Sequence, residues 1–375
     1  MDLSAGVRAS CTQHQTPIRV AMRSWLIPSI AAATVVAVIA TGIVSSIRSA
    51  SRAALVLNSY GGPYFQIIDE RIIEPFEAET GIEVVYNATG TAAQDYAKIK
   101  ATNGSPGFDV VVMTAPQALQ GCHDGLLEQI TPEHVPNLAF LDQSVQRVAG
   151  PCGVVIEVQY MALLWRTDKV SAPLDSWQDL FRDELDNRLL LPKFENIMAV
   201  YLALMFAQIR GGSIDNVDAG FASLSQLAPS AIAFETSSSR MAAYLKTGRA
   251  WATVYWSGRA QLLKDSGVPV EYTIPREGTI PLIVTASIPV GARNKELARK
   301  LINFWLEKRS QEAWVEGYSV GSIRTDLDLS PQIRARQITS REDIDRLLLP
   351  DFEALARNRT DWNSRWKREV IEASK

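Results

Sequence analysis

Histidine is scarce in this chain, which has three copies in 375 residues: His14, His123 and His134. None of them stands at a spacing typical of a metal site or of an activated nucleophile. The chain also lacks the GxSxG, HExxH and CxxC motifs, and its glycines form no dinucleotide-binding or phosphate-binding loop. We therefore predict a protein that is not an enzyme and that needs neither a metal nor a cofactor.

A strong excess of charge is also missing. The formal net charge is −3, so the chain has no basic field that would attract nucleic acid, and we expect no nucleic-acid partner. Apolar residues make up 47% and charged residues 21% of the chain, which are the proportions of an ordinary globular protein. A chain of 375 residues exceeds one small domain, which favours two domains with cores of their own.

One long apolar run interrupts this ordinary composition at residues 25–47, between Arg23 and Arg48. A membrane span needs about 20 apolar residues, and a cleavable signal peptide has a shorter apolar region, so the run fits either a long signal peptide or an uncleaved anchor. Arg19 and Arg23 precede it, which by the positive-inside tendency leaves the rest of the chain outside the cytoplasm. We expect export to the periplasm, with anchoring to the inner membrane by residues 25–47 and a translation start at Met22 both left open.

Cysteine is as rare as histidine, with three copies in the chain. Cys11 precedes the apolar run, which leaves Cys122 and Cys152 in the exported body. An oxidising compartment permits these two to form a disulfide. The alternative is a pair of small buried thiols, and the spacing alone does not decide between them.

The body opens with alternating strand and helix patterns, which predict an α/β fold with a parallel sheet. Apolar runs predict strands at 54–58, 82–86 and 108–113, and apolar residues at helical spacing predict helices at 67–79 and 91–102. Ligands of open α/β sheets gather at the carboxyl ends of the strands. The segments 58–62, 89–91 and 114–116 are therefore candidate ligand loops, and Thr114 is a candidate within the third.

A second α/β unit follows, with strands predicted at 189–191, 231–234 and 252–255. A strand at 281–289 and an amphipathic helix at 295–306 then indicate a return to the first unit. We predict one lobe from 54–159 and 273–330, a second lobe from 160–272, and a hinge that the chain crosses at least twice. Residues 1–53 form the tail and targeting segment, and residues 331–375 are predicted as surface helices that close the body.

Two aromatic and two basic residues stand at predicted strand ends or helix starts. Tyr60 and Trp256 would clamp a small polar solute from opposite lobes, or else pack as ordinary core aromatics. Arg240 and Arg259 lie near predicted helix N-termini, where a cation and free amides favour a carboxylate or another anion. The alternative for each arginine is a surface or interlobe salt bridge.

The body resembles the extracellular solute-binding proteins of ABC importers, specifically the spermidine/putrescine-binding-like group with the type II periplasmic-binding-protein fold. The resemblance covers about residues 55–327. It depends on motifs in this order: FEAETGIEVVY at 76–86, YAKIKA at 96–101, FDVVVMT at 108–114, LLWRTDKV at 163–170, SWQDLF at 176–181, TGRAWATVYWSG at 247–258, IPREGT at 274–279 and SIPVGARNKELARKLINFWL at 287–306.

This resemblance implies a monomeric, two-lobed protein that closes on a solute and presents it to an ABC permease in the inner membrane. It also implies ligand-binding roles for residues that match the family by position: Ser59, Tyr60, Thr89, Gly90, Thr91 and Trp256. The rival hypotheses are an exported enzyme that reuses the two-lobed fold and a membrane-anchored sensor domain.

The chain departs from the polyamine binders at the acidic positions that neutralise ammonium groups. At the first of these places Glu195 is acidic but follows the basic Lys193, and at the second the chain has the uncharged Thr285. Polyamine specificity is therefore disfavoured within a ligand class that spans amino acids, organic acids, phosphonates and polyamines.

Overall fold

The structure is a computed structural model, and it describes residues 54–89 and 91–374. The predicted targeting segment at 25–47, Cys11, His14 and Gly90 lie outside the described residues. Within the described ranges, no helix combines the length and the apolar character needed to cross a membrane.

Nine strands of the described chain form one connected sheet in the order β2-β1-β3-β9-β4-β7-β5-β6, with β8 paired to β4. The strands are β1 Leu55–Tyr60, β2 Val84–Thr89, β3 Val110–Thr114, β4 Val154–Arg166, β5 Leu189–Pro192, β6 Ala231–Glu235, β7 Ala252–Trp256, β8 Val270–Thr273 and β9 Pro281–Ser287. The α/β class predicted from the alternation of strands and helices is confirmed.

The expectation of a parallel sheet is only partly right, because the sheet is mixed. β1 is parallel to β2 and β3, and β5 is parallel to β6 and β7. β4 and β9 instead run antiparallel to their neighbours. Alternating strands and helices predict parallel pairing only within each unit, whereas β4 and β9 are the strands that join the two units.

The longest strand, β4, connects the two parallel parts of the sheet. All 13 of its residues are buried. Its first half pairs with β9 through Tyr160, and its second half pairs with β7 from Met161 onward. The chain thus changes partners within one continuous strand, at residues 160–161.

Helices pack against this sheet and extend to the end of the described chain. The α-helices are Pro63–Ile68, Glu74–Thr80, Ala92–Ala101, Ala115–His123, Gln143–Gln146, Ile197–Ile209, Asp218–Leu227, Ser238–Lys246, Ser257–Asp265, Lys295–Trp305, Lys308–Tyr318, Pro331–Arg334, Arg341–Asp345 and Phe352–Arg365. Two segments are π-helical. Asp69–Ile73 joins the first two α-helices, and Trp366–Ile371 directly follows the last one. Short 3-10 turns are Pro136–Phe140, Arg147–Ala149, Trp177–Phe181, Asp183–Leu185 and Ala228–Ser230.

Burial explains why particular segments are helical. The Ile197–Ile209 helix is apolar on all sides and lies almost wholly inside the protein, as such a helix must. The Lys295–Trp305 helix instead buries one stripe, formed by Ala298, Leu301, Ile302 and Trp305 at helical spacing. The predicted amphipathic helix at this place is therefore observed.

A disulfide joins Cys122, in the Ala115–His123 helix, to Cys152, just before β4. The two Cα atoms are 5.5 Å apart, a separation typical of disulfides. Of the two alternatives left open by the sequence, the structure has the bonded pair.

Candidate ligand-binding cavity

A cavity of about 780 Å³ lies at the carboxyl ends of strands from both parts of the sheet. Tyr60 and Thr114, at the ends of β1 and β3, line one side, and Trp256, at the end of β7, lines the other. This volume is in the range of small-molecule sites. The cavity therefore has the size and the position expected of a site for a small solute.

Five helices of at least nine residues that directly follow a strand begin at this cavity, and each contributes residues of its first turn or its N-cap to the lining. They are Ala92–Ala101, Ala115–His123, Ile197–Ile209, Ser238–Lys246 and Ser257–Asp265. The first amides of a helix have no partner within it, and the helix dipole adds partial positive charge there. The strand-to-helix connections thus give the cavity a positive bias.

An aromatic cluster forms the wall on the side of β1. The Tyr64 ring packs edge-to-face against Tyr60 at 5.2 Å, Tyr318 at 5.1 Å and Trp314 at 5.2 Å between ring centroids. Burial raises the pKa of all three tyrosines, so their hydroxyls stay neutral at physiological pH. This wall presents flat apolar faces with polar tips, which suits stacking against a polar solute.

Glu157 is a fully buried carboxylate in the lining. Its Oε1 accepts a hydrogen bond from Gln159 Nε2 at 2.9 Å, and its Oε2 accepts from Trp314 Nε1 at 3.0 Å and Tyr64 Oη at 3.3 Å. Burial raises the pKa of Glu157 to about 7, although these hydrogen bonds and the Arg259 charge act in the opposite direction. Glu157 is therefore a group that can change charge near neutral pH.

Gln159 also lines the cavity, two residues along β4 from Glu157. Its side-chain amide donates to Glu157, while its Oε1 is buried and has no hydrogen-bond partner among the described residues. A buried acceptor without a partner is costly. Gln159 Oε1 therefore offers a place for a donor from a solute or from water.

The opposite wall combines an aromatic pair with two arginines. Trp256 and Tyr201 pack edge-to-face at 6.2 Å, and both line the cavity although they are nearly fully buried. Arg259 follows Trp256 in the first turn of its helix, and Arg359 comes from the Phe352–Arg365 helix. Neither guanidinium forms an ion pair with another described residue. Burial lowers the pKa of Arg359, which lies over the Phe194 ring at 5.5 Å.

Six of the residues predicted for the site line this cavity together: Tyr60, Thr91, Thr114, Glu195, Trp256 and Arg259. The Thr91 hydroxyl also caps its helix by accepting from the Gln94 amide at 3.3 Å. Thr89 ends β2, and its side chain and Gly90 lie outside the described part of the structure.

Three other predicted residues do not line it, each for a physical reason. Ser59 is fully buried in β1, because successive side chains of a strand point to opposite faces and Tyr60 takes the cavity side. Thr285 is fully buried in β9, where its Oγ1 donates to the Met113 carbonyl at 3.1 Å. Arg240 is 70% exposed and is held by the Glu235 carboxylate at 3.0 Å.

The sequence patterns missed much of the lining. Tyr64 and Tyr318 lie inside helices, where aromatic residues usually signal core packing. Glu157 belongs to β4, which the alternation of strands and helices did not predict. A usable signal was present there, because one carboxylate within the apolar run VVIEVQYMALLW at 154–165 needs partners when the run is buried.

The C-terminal segment contributes to the cavity as well. Phe352, Leu355 and Arg359 line it from the Phe352–Arg365 helix. The prediction that residues 331–375 only close the body as surface helices was therefore incomplete. Among the described residues, no cluster of His, Cys, Asp and Glu side chains has the arrangement of a metal site.

Comparisons with known proteins agree with this architecture. Residues 71–339 match the family model of the bacterial extracellular solute-binding proteins. The spermidine/putrescine-binding periplasmic protein of Salmonella typhimurium is 26% identical over 349 residues, which cover 90% of this chain and 94% of that protein. The gamma-aminobutyric acid-binding protein of Pseudomonas aeruginosa is 25% identical over 280 residues, covering 72% and 77%.

Solved structures share the fold. An ABC transporter substrate-binding protein from Bradyrhizobium japonicum superimposes with a TM-score of 0.73 at 19% identity, covering 85% of this chain and all of that one (100%). The spermidine/putrescine ABC transporter substrate-binding protein from Streptococcus pneumoniae gives 0.72 at 17% identity, covering 84% and 99%. The resemblance inferred from the sequence motifs is confirmed. The chain therefore belongs to the bacterial extracellular solute-binding proteins, the substrate-binding components of ABC importers.

Proposed function

We propose that this protein captures one small polar solute in the cavity between the two parts of its sheet and delivers it to an ABC permease in the inner membrane. The observation that supports this most directly is that Tyr60 and Trp256, from different parts of the sheet, line the same cavity. A solute held between them would link the two parts. Family membership favours transport over catalysis, which leaves the exported enzyme as the weaker alternative.

The proposed mechanism is closure of two lobes, residues 54–159 with 273–330 and residues 160–272. β4 supports this division, because it changes partners at residues 160–161 without a break in the strand. The return from β8 to β9 would provide the second crossing. Small rotations at two such crossings open and close a cleft around a ligand. We propose that a monomer works in this way in the periplasm.

The ligands named for the relatives are small solutes with amino groups. Named ligands among them are spermidine, putrescine and gamma-aminobutyric acid. We propose a ligand from the amino acids, organic acids, phosphonates or polyamines. Anchoring of the protein by residues 25–47 remains a prediction from the sequence.

A thermal-shift screen of the purified protein against these four classes tests the proposal. A ligand at a concentration of about 100 times its dissociation constant stabilises the folded state by about 2.7 kcal/mol, which raises the melting temperature by several degrees. We expect at least one compound to produce this shift at millimolar concentration. If every compound leaves the melting temperature unchanged, the proposed function is wrong.

The Trp256→Ala variant then tests whether this cavity is the binding site. Loss of a large aromatic contact at the centre of a site commonly costs more than 1 kcal/mol, so we expect affinity for the identified ligand to fall about tenfold. Trp251→Ala is the matched control, because Trp251 lies just before β7 and packs against Arg188 outside the cavity. Undiminished binding by a folded Trp256→Ala protein would place the ligand elsewhere.

A further inference from the structure

The hydrogen-bonding groups of the cavity differ in how many protein partners they already have. The buried carboxylate Glu157 already accepts three hydrogen bonds from protein side chains. A carboxylate has about four acceptor positions, so Glu157 has little capacity left for a cationic ligand. The second lining carboxylate, Glu195, is exposed to solvent, where an ion pair contributes little.

In contrast, the guanidinium groups of two lining arginines have no acceptor for their hydrogen-bond donors among the described residues. Arg259 and Arg359 line the cavity, both are partly buried, and neither forms a hydrogen bond or an ion pair with another described residue. Partly buried arginines elsewhere in the protein have carboxylate partners: Arg299 binds Glu128 at 3.1 Å, and Arg365 binds Glu369 at 3.0 Å. The cavity therefore holds unused donors that fit a planar acceptor such as a carboxylate.

We propose that the solute bears a carboxylate and that Arg259 and Arg359 select for it. This inference rests on the proposed function, because it assumes that the cavity is the solute site. A dication such as putrescine would face two unpaired guanidinium groups and a carboxylate whose acceptor positions are largely filled. A solute with a carboxylate satisfies those donors, and Gln159 Oε1 can accept from an amino group in the same molecule.

The position of Arg359 is fixed by the packing of its helix. Asp351 caps the helix by accepting from the Glu353 and Ala354 amides at 2.9 and 3.0 Å. At the other end, the Trp366 ring packs against Phe194 at 6.0 Å and Phe234 at 6.1 Å. Arg359 lies beyond the residues matched by the family model, 71–339, so the family match by itself does not predict this charge.

Matched ligand pairs test the proposal on the purified full-length protein. Three pairs of compounds differ only by a carboxylate: ornithine and putrescine, lysine and cadaverine, and arginine and agmatine. Two further compounds, gamma-aminobutyrate and succinate, carry one and two carboxylates on a four-carbon chain. We measure affinity by calorimetry. We expect the tightest ligand to bear a carboxylate and, within the three pairs, the carboxylate compound to bind at least about tenfold more tightly than its amine counterpart, as charge-assisted hydrogen bonds imply.

If an amine binds as tightly as its carboxylate counterpart, the selection by Arg259 and Arg359 is overturned while the proposed function stands. If no member of any pair and no compound of the wider screen binds, the proposed function and this inference both fail. The two failures are therefore distinguishable.

Variants of the two arginines assign the selection to these residues. We expect Arg259→Gln and Arg359→Gln to weaken binding of the carboxylate ligand by about tenfold to a hundredfold and to reduce the discrimination within its pair. Arg359→Lys keeps the charge and should retain part of the affinity. Carboxylate binding that is unchanged in both folded Gln variants would overturn the proposal.

Two exposed arginines provide matched controls. Arg357 lies on the same helix as Arg359, is 65% exposed and contacts Glu353 at 3.8 Å. Arg240 is exposed and paired with Glu235 outside the cavity. Arg357→Gln and Arg240→Gln should leave affinity unchanged, which separates an effect of the cavity from a general loss of positive charge.

Discussion

At the scale of single residues, Glu157 makes the charge of the cavity and the stability of the protein depend on pH. It has no exposed surface, and burial raises its pKa to about 7 from an ordinary value of 4.5. The folded protein therefore keeps a proton that the unfolded chain has already lost between these pH values. By linkage, the protonated Glu157 side chain makes its full contribution to the free energy of unfolding below about pH 4.5, and this contribution is lost as the pH rises towards 7.

We expect Glu157→Gln to remove this pH dependence. The amide oxygen can still accept from Trp314 and Tyr64, and the amide nitrogen can donate to Gln159 Oε1 if the Gln159 amide turns over. The free energy of unfolding of the wild type should fall by about 1–3 kcal/mol relative to the variant between pH 5 and pH 7.5. Urea unfolding at several pH values measures this difference.

The control is Glu133→Gln, because Glu133 is exposed to solvent in the folded protein. That variant should follow the wild type at every pH. If the wild type and Glu157→Gln show parallel pH dependence, Glu157 does not titrate in this range.

Residue-level prediction from the sequence placed residues at the cavity where strand ends determine their position, and their role in binding stays a prediction. Tyr60, Thr114 and Trp256 each end a strand, and all three line the cavity. It failed where the site depends on tertiary packing. Arg359 lies about 100 residues along the chain from Arg259, and no local pattern relates the two.

At the scale of elements, the Phe352–Arg365 helix shows what a charged composition conceals. Its sequence is typical of a surface helix, yet Phe352, Leu355 and Trp362 are buried. Similarly, β4 is a mostly apolar run interrupted by Glu157 and Gln159, and such a run does not distinguish a strand from a buried helix. The strands at 82–86, 189–191 and 252–255 were predictable because each is a short apolar run bounded by turn residues.

We expect Trp366→Ala to destabilise the protein and weaken ligand binding together. Trp366 is buried, and its ring packs against Phe194 and Phe234, so truncation leaves a cavity that costs about 3–5 kcal/mol. The same loss would loosen the helix that positions Arg359. Urea unfolding and calorimetry measure the two effects.

Lys367→Ala is the control for this prediction, because Lys367 is exposed and follows Trp366 in the chain. It should change stability by less than about 0.5 kcal/mol. An equally stable Trp366→Ala protein would show that the end of the chain is not docked as described.

At the scale of the whole molecule, the disulfide relates the stability of the fold to the compartment in which the protein works. The Cys122–Cys152 bond closes a loop over a sequence separation of 30 residues, and β4 begins just after it. The sequence left the pairing open because it does not report distance, whereas the fold places the two cysteines at adjacent positions. Disulfides persist in oxidising compartments, which accords with the periplasmic location of the relatives.

We expect loss of this bond to destabilise the whole protein through its unfolded state. In the chain-entropy description, a loop of this length stabilises the folded state by about 3–4 kcal/mol. The Cys122→Ala/Cys152→Ala variant should therefore unfold at a lower urea concentration than the oxidised wild type. Adding dithiothreitol should bring the wild type close to the variant, while the variant itself should not respond.

The Cys11→Ser protein should behave as the wild type in both conditions, because Cys11 takes no part in the bond. If reductant leaves the wild-type unfolding curve in place although mass spectrometry of alkylated thiols shows the bond reduced, the loop constraint contributes nothing to stability.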